Sequence, residues 1–255
     1  MIQRARDIAG WLRQQIAVSG AQGLAVGLSG GLDSAVVAGL CRMAAPGNVV
    51  GVMMPCQSDR SDEADALLVS EHFEIRAIRV DIGPAFDGLI GELTAALREL
   101  TPDQAPAGPA EPVARVAFAN VKPRLRMTAL YFVANTLDYL VVGTGNRSEL
   151  TIGYFTKYGD GGVDLLPIGM LLKSEVRALA QELGVPASII EKAPSAGLWP
   201  GQTDEDEMGF TYADLERYLR GGAAAVPPAV AMRVERFARM SDHKRSPPPM
   251  PDLDL

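Results

Sequence analysis

The sequence predicts an α/β fold, a doubly wound and mostly parallel sheet flanked by helices, and three observations lead to it. Short apolar runs alternate with helical patterns at the spacing of βαβ units, at 24–28, 49–54, 75–82 and 139–142. A glycine-rich turn joins the first run directly to a helix. Apolar residues make up 47% of 255 residues, enough for one large core. We therefore expect a single domain over residues 1–255.

The helices follow from apolar positions that recur every three or four residues. In the first helix these positions are Ile2, Ile8, Leu12 and Ile16. The same periodicity predicts helices at 2–18, 62–72, 86–100, 120–137, 173–183, 212–219 and 228–240. Pro123 falls in the first turn of its helix, where the missing N–H costs little.

Two proline-rich stretches interrupt this pattern. Thr101 to Pro112 carries four prolines and one glycine, which cannot form a helix interior, so a surface loop is expected. The tail, Ser246 to Leu255, is also proline-rich and is expected to fray. Residues 154–164 and 189–209 look irregular.

Composition and charge exclude several function classes. The net charge of −7 argues against a general nucleic-acid binder, because phosphate contacts need a basic surface. Two cysteines, Cys41 and Cys56, allow neither a disulfide framework nor a zinc pattern, and indicate reduced thiols. No apolar run has membrane-spanning length, and residues 1–10 have no signal-peptide core. A cytoplasmic protein without a membrane partner is expected.

The turn after the first strand reads S-G-G-L-D-S over Ser29 to Ser34. Adjacent glycines allow close approach of a ligand, and the following helix offers free N–H groups, so an anion such as phosphate is favoured. Asp33 would repel a bare phosphate, and a magnesium ion between them resolves that conflict. An ordinary strand-to-helix turn is the alternative.

This motif resembles the pyrophosphate loop of the N-type ATP pyrophosphatases, which split ATP between its α and β phosphates. The chain has no Walker A sequence, G-x-x-x-x-G-K-[ST]. The resemblance implies ATP as a substrate.

A second glycine-rich loop, Gly143 to Glu149, follows the fourth strand directly. Ligands of open α/β sheets bind at the carboxyl ends of the strands, so this loop should lie near the first. It does not match the dinucleotide fingerprint, because Ser148 stands at the third glycine position.

Longer stretches make the resemblance specific. Residues 141–169 (V-V-G-T-G-N-R-S-E-L-T-I-G-Y-F-T-K-Y-G-D-G-G-V-D-L-L-P-I-G), 189–209 and the triplet 243–245 resemble ammonia-dependent NAD synthetase. The resemblance extends from about residue 23 to 245. It implies an adenine nucleotide alpha hydrolase-like fold and a ligase that converts deamido-NAD, ATP and ammonia into NAD, AMP and pyrophosphate through an adenylated nicotinate carboxylate.

The resemblance also implies roles for individual residues. As ATP-binding residues it implies Gly27, Leu28, Ser29, Gly30, Gly31, Leu32, Asp33, Ser34, Thr144, Lys173 and Ser195. As magnesium ligands it implies Asp33 and Glu149, and as catalytic residues these two with Lys173. As deamido-NAD contacts it implies Arg124, Lys157, Asp164, His243 and Lys244, with Arg126 as a weaker candidate.

Each role has a simpler alternative. Glu149 could be a solvated helix-start acid, and the remaining charges could be exposed side chains or, near 243, a solvated tail. The chain departs from the family pattern at Pro123, usually alanine, at Ser195, usually threonine, and at Gly197, usually aspartate. The acidic residues 204–207 are expected to form a mobile loop that orders with substrate, or simply a solvated one.

Two rival functions stay open on sequence alone. The first is another pyrophosphate-loop enzyme, such as an amidating ligase or a tRNA thiolase. The second is a nucleotide-binding regulatory domain without turnover. The family is typically homodimeric, and the apolar helix 120–137 could form a dimer face or simply pack in the core. No glutamine-hydrolysing domain is expected.

Overall fold

The computed structural model describes residues 1–101, 112–195, 197 and 202–251. Of the predicted proline-rich loop at 101–112, residues 102–111 lie outside this range, and Pro112 belongs to a helix and not to a loop. The last four residues of the predicted frayed tail also lie outside this range. From 246 to 251 the tail has no regular secondary structure.

Four parallel strands form the sheet, in the spatial order β3-β2-β1-β4. They are β1 (Gly23–Gly27), β2 (Val49–Met53), β3 (Arg76–Arg79) and β4 (Tyr139–Val142). The predicted doubly wound, parallel α/β fold is therefore confirmed. The third strand is shorter than predicted, because only four residues pair with β2 at this exposed edge.

Eleven α-helices lie in the described part of the chain. They are α1 (Ile2–Ser19), α2 (Leu32–Ala44), α3 (Arg60–His72), α4 (Gly83–Leu100), α5 (Pro112–Leu137), α6 (Arg147–Ile152), α7 (Lys173–Glu182), α8 (Ala187–Ile190), α9 (Asp204–Met208), α10 (Tyr212–Gly221) and α11 (Pro228–Met240). Short 3₁₀ turns cover Ala223–Ala225 and Asp242–Lys244.

Helix α5 corrects the prediction, because it begins at Pro112 and not at Asn120. Pro123 therefore lies in the helix interior rather than in the first turn. The run R-V-A-F-A-N-V before Pro123 already has helical character, and this outweighs the preference of proline for a helix start. The proline side chain packs beside Gly159, where an added Cβ would lie 3.0 Å away.

The predicted acidic loop at 204–207 is also corrected. It forms helix α9, capped by the Thr203 hydroxyl, which accepts from the backbone N–H of Asp206 at 3.2 Å. A threonine before a run of acids is a favourable helix start, since acidic side chains complement the positive end of the helix. Of these four acids, Asp204 is buried and the other three are exposed.

Helices cover both faces of the sheet. On one face, buried residues of α1, α2 and α7 form the largest core cluster, which includes Leu12, Val36, Leu40 and Leu179. On the other face, α5 packs against β1 and β4. A third cluster joins α6, α9, α10 and α11 beside the sheet.

Both cysteines are buried and free. Burial raises the pKa of the Cys41 and Cys56 thiols, so both are held in the protonated form. Within the described residues, no helix is long and apolar enough to cross a lipid bilayer.

The winding of the chain reverses beside β1. The connections β1 to β2 and β2 to β3 progress in one direction, whereas β4 returns to the other side of β1. Such a reversal opens a crevice at the carboxyl ends of the two adjacent strands. The loops that follow β1 and β4 therefore emerge side by side.

Candidate active site

The loop after β1 is held in shape by its own serines and by one glycine. The Ser29 hydroxyl lies 3.0 Å from the Ser34 hydroxyl and accepts from the Gly31 N–H at 3.2 Å, while the Ser34 hydroxyl donates to the Gly31 carbonyl at 2.9 Å. Gly30 has φ of +75°, and an added Cβ would lie 2.4 Å from the carbonyl oxygen of Asp62. The loop therefore needs glycine at this position.

Asn146 connects the loop after β4 to the first loop. Its side-chain N–H donates to Asp33 Oδ1 at 3.0 Å, and its side-chain oxygen accepts from the Glu149 backbone N–H at 3.1 Å. Glu149 Oε2 in turn accepts from the Asn146 backbone N–H, which completes a capping box at the start of α6. The predicted proximity of the two loops is confirmed. Asn146 itself was missed, although its N-x-x-E spacing is legible in the sequence.

Lys173 lies between the two predicted magnesium ligands. Its Nζ is 2.5 Å from Asp33 Oδ2 and 3.1 Å from Glu149 Oε1, and only 7% of its side chain is exposed. We name Asp33, Asn146, Glu149 and Lys173 the carboxylate cluster.

The charges of this cluster are tightly coupled. Burial raises the pKa of Glu149, and the ammonium of Lys173 partly offsets that rise. Burial alone would lower the pKa of Lys173, but the Asp33 and Glu149 carboxylates raise it, so the lysine stays protonated. One cation thus already offsets part of the charge of the two carboxylates that a metal ion would bind.

The residue composition of this cluster suits Mg²⁺. Magnesium is commonly held by one or two carboxylates together with substrate phosphate oxygens. Asp33 and Glu149 supply two carboxylates around one bound cation, the Lys173 ammonium. Among the residues described, no group of three or more His, Cys, Asp or Glu is arranged to hold a metal without such additional ligands.

Ser195 lies on a segment tied to the first loop through helix α3. Lys192 Nζ is 2.7 Å from Asp62 Oδ1 and 2.5 Å from Asp65 Oδ2. Gly197 has φ of +60°, and its N–H donates to the Ser195 hydroxyl at 3.1 Å. Ser195 thus lies beside the helix on which Gly30 packs, without bonding to the carboxylate cluster.

The predicted dinucleotide contacts lie mostly around the 3₁₀ turn at the C-terminal end. Lys244 Nζ donates to the carbonyls of Gly153 and Phe155 at 2.8 and 2.6 Å. Lys157 Nζ donates to the His243 carbonyl. We name Arg124, Lys157, His243 and Lys244 the tail cluster, since the tail and the 153–157 loop meet there.

Arg124 and Arg126 are two residues apart on α5 and therefore project from different sides of the helix. Arg124 Nε donates to the Lys157 carbonyl at 3.4 Å, which places it in the tail cluster. Arg126 instead donates to the Met54 carbonyl at 3.2 Å and the Ser58 hydroxyl at 3.4 Å. Burial lowers the pKa of Arg126. The weaker candidate therefore supports the loop after β2.

Asp164 is already engaged through both oxygens. Oδ1 accepts from the Tyr131 hydroxyl at 2.8 Å, and Oδ2 accepts from the Val141 backbone N–H at 2.7 Å. A carboxylate oxygen has a second lone pair, so a ribose hydroxyl could still donate to it.

A cavity of about 320 Å³ joins the two clusters. Its lining includes Thr144 and Glu149 from the second loop, Lys244 from the tail, and Phe155 and Asp160 from the loop between them. Burial raises the pKa of Asp160, while its hydrogen bond from the Thr156 N–H opposes the rise. Asp160 was missed because it lies in a glycine-rich loop whose conformation no periodicity reveals.

A sequence profile of a protein family, described as NAD synthase, matches residues 4–248. The chain is 49% identical over 251 residues to a protein of Carboxydothermus hydrogenoformans named NH(3)-dependent NAD(+) synthetase, covering 98% of each chain. The structure resembles an NMN synthetase from Francisella tularensis, with a TM-score of 0.87, 35% identity and 98% coverage of both chains. It also resembles an NH3-dependent NAD synthetase from Campylobacter jejuni, with a TM-score of 0.78, 28% identity and 98% coverage of both.

Proposed function

This chain belongs to the NAD synthase family, and on that premise we propose that it amidates deamido-NAD with ammonia and ATP, giving NAD, AMP and pyrophosphate. The observation that carries the proposal is the shared contact of Asp33 and Glu149 with Lys173 at the carboxyl edge of the sheet. Phosphoryl transfer is favoured at a site that neutralises negative charge and is shielded from bulk water.

We propose that ATP occupies the crevice between the two loops. Residues Gly27 to Ser34 wrap its phosphates, and Thr144, Lys173 and Ser195 contact the nucleotide. Asp33 and Glu149 would hold Mg²⁺, which would supply neutralisation of the charge that develops on the phosphates. With a metal ion as their counter-charge, the two carboxylates would no longer need the Lys173 ammonium, which could then contact a phosphate oxygen.

The nicotinate carboxylate of the substrate attacks the α phosphorus, and pyrophosphate leaves. The mixed anhydride formed is a good acyl donor, so ammonia displaces AMP and the amide results. In both steps the chain contributes mainly positioning and electrostatic stabilisation. The tail cluster with Asp164 holds the dinucleotide, since cations suit its phosphates and carboxylate.

The test is an assay of the purified chain with deamido-NAD, ATP, Mg²⁺ and ammonium, with glutamine in parallel. We expect equal amounts of NAD and AMP with ammonium, and little product with glutamine alone. A protein that forms neither NAD nor AMP would contradict the proposal.

A second candidate substrate is the mononucleotide, nicotinate mononucleotide. The likeness to a solved NMN synthetase, at a TM-score of 0.87, favours it specifically. The reacting carboxylate is the same, so only the distal half of the substrate differs. Comparing kcat/KM for the two acids decides between them, and the larger value identifies the preferred substrate.

We further propose that the chain is a single domain that works as a cytoplasmic homodimer. On α5, Phe132 is 73% exposed, and α4 exposes Leu93 and Leu97 four residues apart. Exposed apolar faces of this kind favour an interface. We expect Phe132→Asp to shift the mass measured by light scattering from dimer to monomer, whereas Val18→Asp, at an exposed position on α1, should leave it unchanged.

A further inference from the structure

A third carboxylate lies next to the carboxylate cluster and has no role so far. Asp204, the first residue of α9, is 3% exposed. Its Oδ2 accepts from the Tyr212 hydroxyl at 2.8 Å. Its Oδ1 has no hydrogen-bond partner among the described residues.

An unsatisfied buried carboxylate oxygen is costly, because a charged atom loses its water and gains no hydrogen bond in return. Burial raises the pKa of Asp204, although the Tyr212 hydrogen bond, the charge of Lys173 and a weaker contact with the Tyr154 hydroxyl oppose the rise. A chain that retains such a group beside its reaction centre has a reason beyond folding, because asparagine would form the same bond with Tyr212 more cheaply.

Tyr212 connects Asp204 with the carboxylate cluster. Its hydroxyl lies 3.5 Å from Glu149 Oε1, and its ring centre lies 5.1 Å from Lys173 Nζ. One phenol group therefore separates Asp204 from the predicted metal ligands.

The negative charge of Asp204 determines which kind of ligand can bind beside it. A third carboxylate repels phosphate and nicotinate, so neither ATP nor the acid substrate suits it. A small cation with N–H donors fits it well, since a carboxylate accepts its hydrogen bonds and an aromatic face attracts its charge.

We propose that Asp204 binds the nitrogen substrate, as ammonium, through its free Oδ1 with the ring of Tyr212 beside it. This inference rests on the proposed amidation. It adds a residue that binds the nitrogen substrate, separate from those that bind ATP and the acid. Ammonium gives one proton to the Asp204 carboxylate, and the neutral ammonia so formed attacks the mixed anhydride.

The test separates adenylation from amide formation in the full chain. Exchange of labelled pyrophosphate into ATP, with the acid substrate and without ammonium, reports adenylation alone. NAD formation against ammonium concentration reports the second step. For Asp204→Asn we expect the KM for ammonium to rise at least about tenfold, as for loss of a hydrogen bond to a charged group, with the exchange rate within about threefold of wild type.

Asp206→Asn is the matched control, since Asp206 is an exposed acid of the same helix. It should change neither measurement. Asp204→Glu moves the charge by one methylene, and we expect an intermediate ammonium KM with normal exchange. If Asp204→Asn does not fold, by circular dichroism and thermal melting, Asp204→Glu decides the matter.

Three results would overturn the inference. An unchanged KM for ammonium excludes ammonium binding at Asp204. If Asp204→Asn loses pyrophosphate exchange and amide formation to the same extent, Asp204 contributes to nucleotide binding or to folding. If the variant needs a higher Mg²⁺ concentration, Asp204 contributes to metal binding. Failure of the wild-type chain in both assays, by contrast, would refute the amidation itself.

Discussion

The carboxylate cluster and the tail cluster carry charge in opposite ways. In the first, Lys173 contacts two carboxylates, so positive and negative groups compensate one another before any substrate is bound. In the second, Lys157 and Lys244 donate to backbone carbonyls. Within the described residues, no ion pair with an acid is found for either lysine.

This difference separates two strategies for binding anions. A compensated cluster is stable in itself, but in the proposed mechanism its ion pairs must be exchanged when substrate and metal bind. An uncompensated cluster keeps its positive charge for the ligand, and the cost is the partial loss of water around its two half-buried lysines. Burial indeed lowers the pKa of Lys244, against the opposing influence of Asp160.

The largest expected effect is that of Lys173→Met. It removes the cation shared by Asp33 and Glu149 and the proposed phosphate contact, so kcat/KM should fall by roughly 10³-fold. The unfolding free energy should fall by about 3–5 kcal/mol, because two mostly buried carboxylates lose their partner. Steady-state kinetics and urea denaturation measure the two effects.

Arg4→Met is the control for that variant. It breaks the partly exposed pair with Glu175 at 2.9 Å and should cost about 0–1 kcal/mol with unchanged kinetics. Activity of Lys173→Met within tenfold of wild type would show that the carboxylate cluster does not need its own cation.

The next largest effect concerns the backbone that carries the carboxylate cluster. Gly30→Ala forces a side chain into the φ +75° conformation and against the Asp62 carbonyl. It should lower the unfolding free energy by roughly 2–4 kcal/mol and weaken ATP binding. Gly31→Ala, whose Cβ would lie 3.3 Å from the Ser29 hydroxyl, should cost less than half as much. Equal costs would contradict the close packing against α3.

Lys244→Met addresses the tail cluster. Its two bonds to the 153–155 backbone and its charge are lost together, so the KM for the dinucleotide should rise about 10–100-fold. The KM for ATP should change less than about threefold. Arg239→Met, at an exposed residue near the end of α11, is the control. An equal rise of the KM for ATP and the KM for the dinucleotide would show that the tail cluster does not bind the dinucleotide separately from ATP.

The smallest effect is expected from salt. Raising the ionic strength screens uncompensated charge, so the KM for the dinucleotide should rise several-fold between about 0.05 and 0.5 M KCl. The KM for ATP should rise less, because carboxylate charge already balances Lys173. Sucrose at equal osmolarity serves as the control, and equal salt slopes for the two substrates would contradict the comparison.

Much of the fold could be predicted from the sequence, because its helices and strands have strong local sequence patterns. Strand β4 and helix α11 have the predicted bounds, since each is a clear apolar run or a helical pattern. Helix α5 was read too short, because the preference of proline for a helix start was given more weight than the helical run before Pro123.

Only part of the candidate site could be predicted from the sequence. Asp33 and Glu149 could be brought together from topology alone, since both follow strands that end at one edge. Asp160 and Asp204 could not be found in this way. The position of Asp160 and the burial of Asp204 depend on contacts with residues distant in sequence, such as Tyr212 around Asp204. Neither periodicity nor composition encodes these contacts.

The pairing of β1 with β4 has a consequence for biosynthesis. Asp33 and Asn146 are separated by 113 positions in the chain, and their strands become neighbours only when the far half has been made. The early segment must therefore leave the ribosome with an acidic loop that has neither Asn146 nor Lys173 to stabilise it. Contacts of such long sequence separation form slowly, so nucleotide affinity should be among the last properties that the nascent polypeptide acquires.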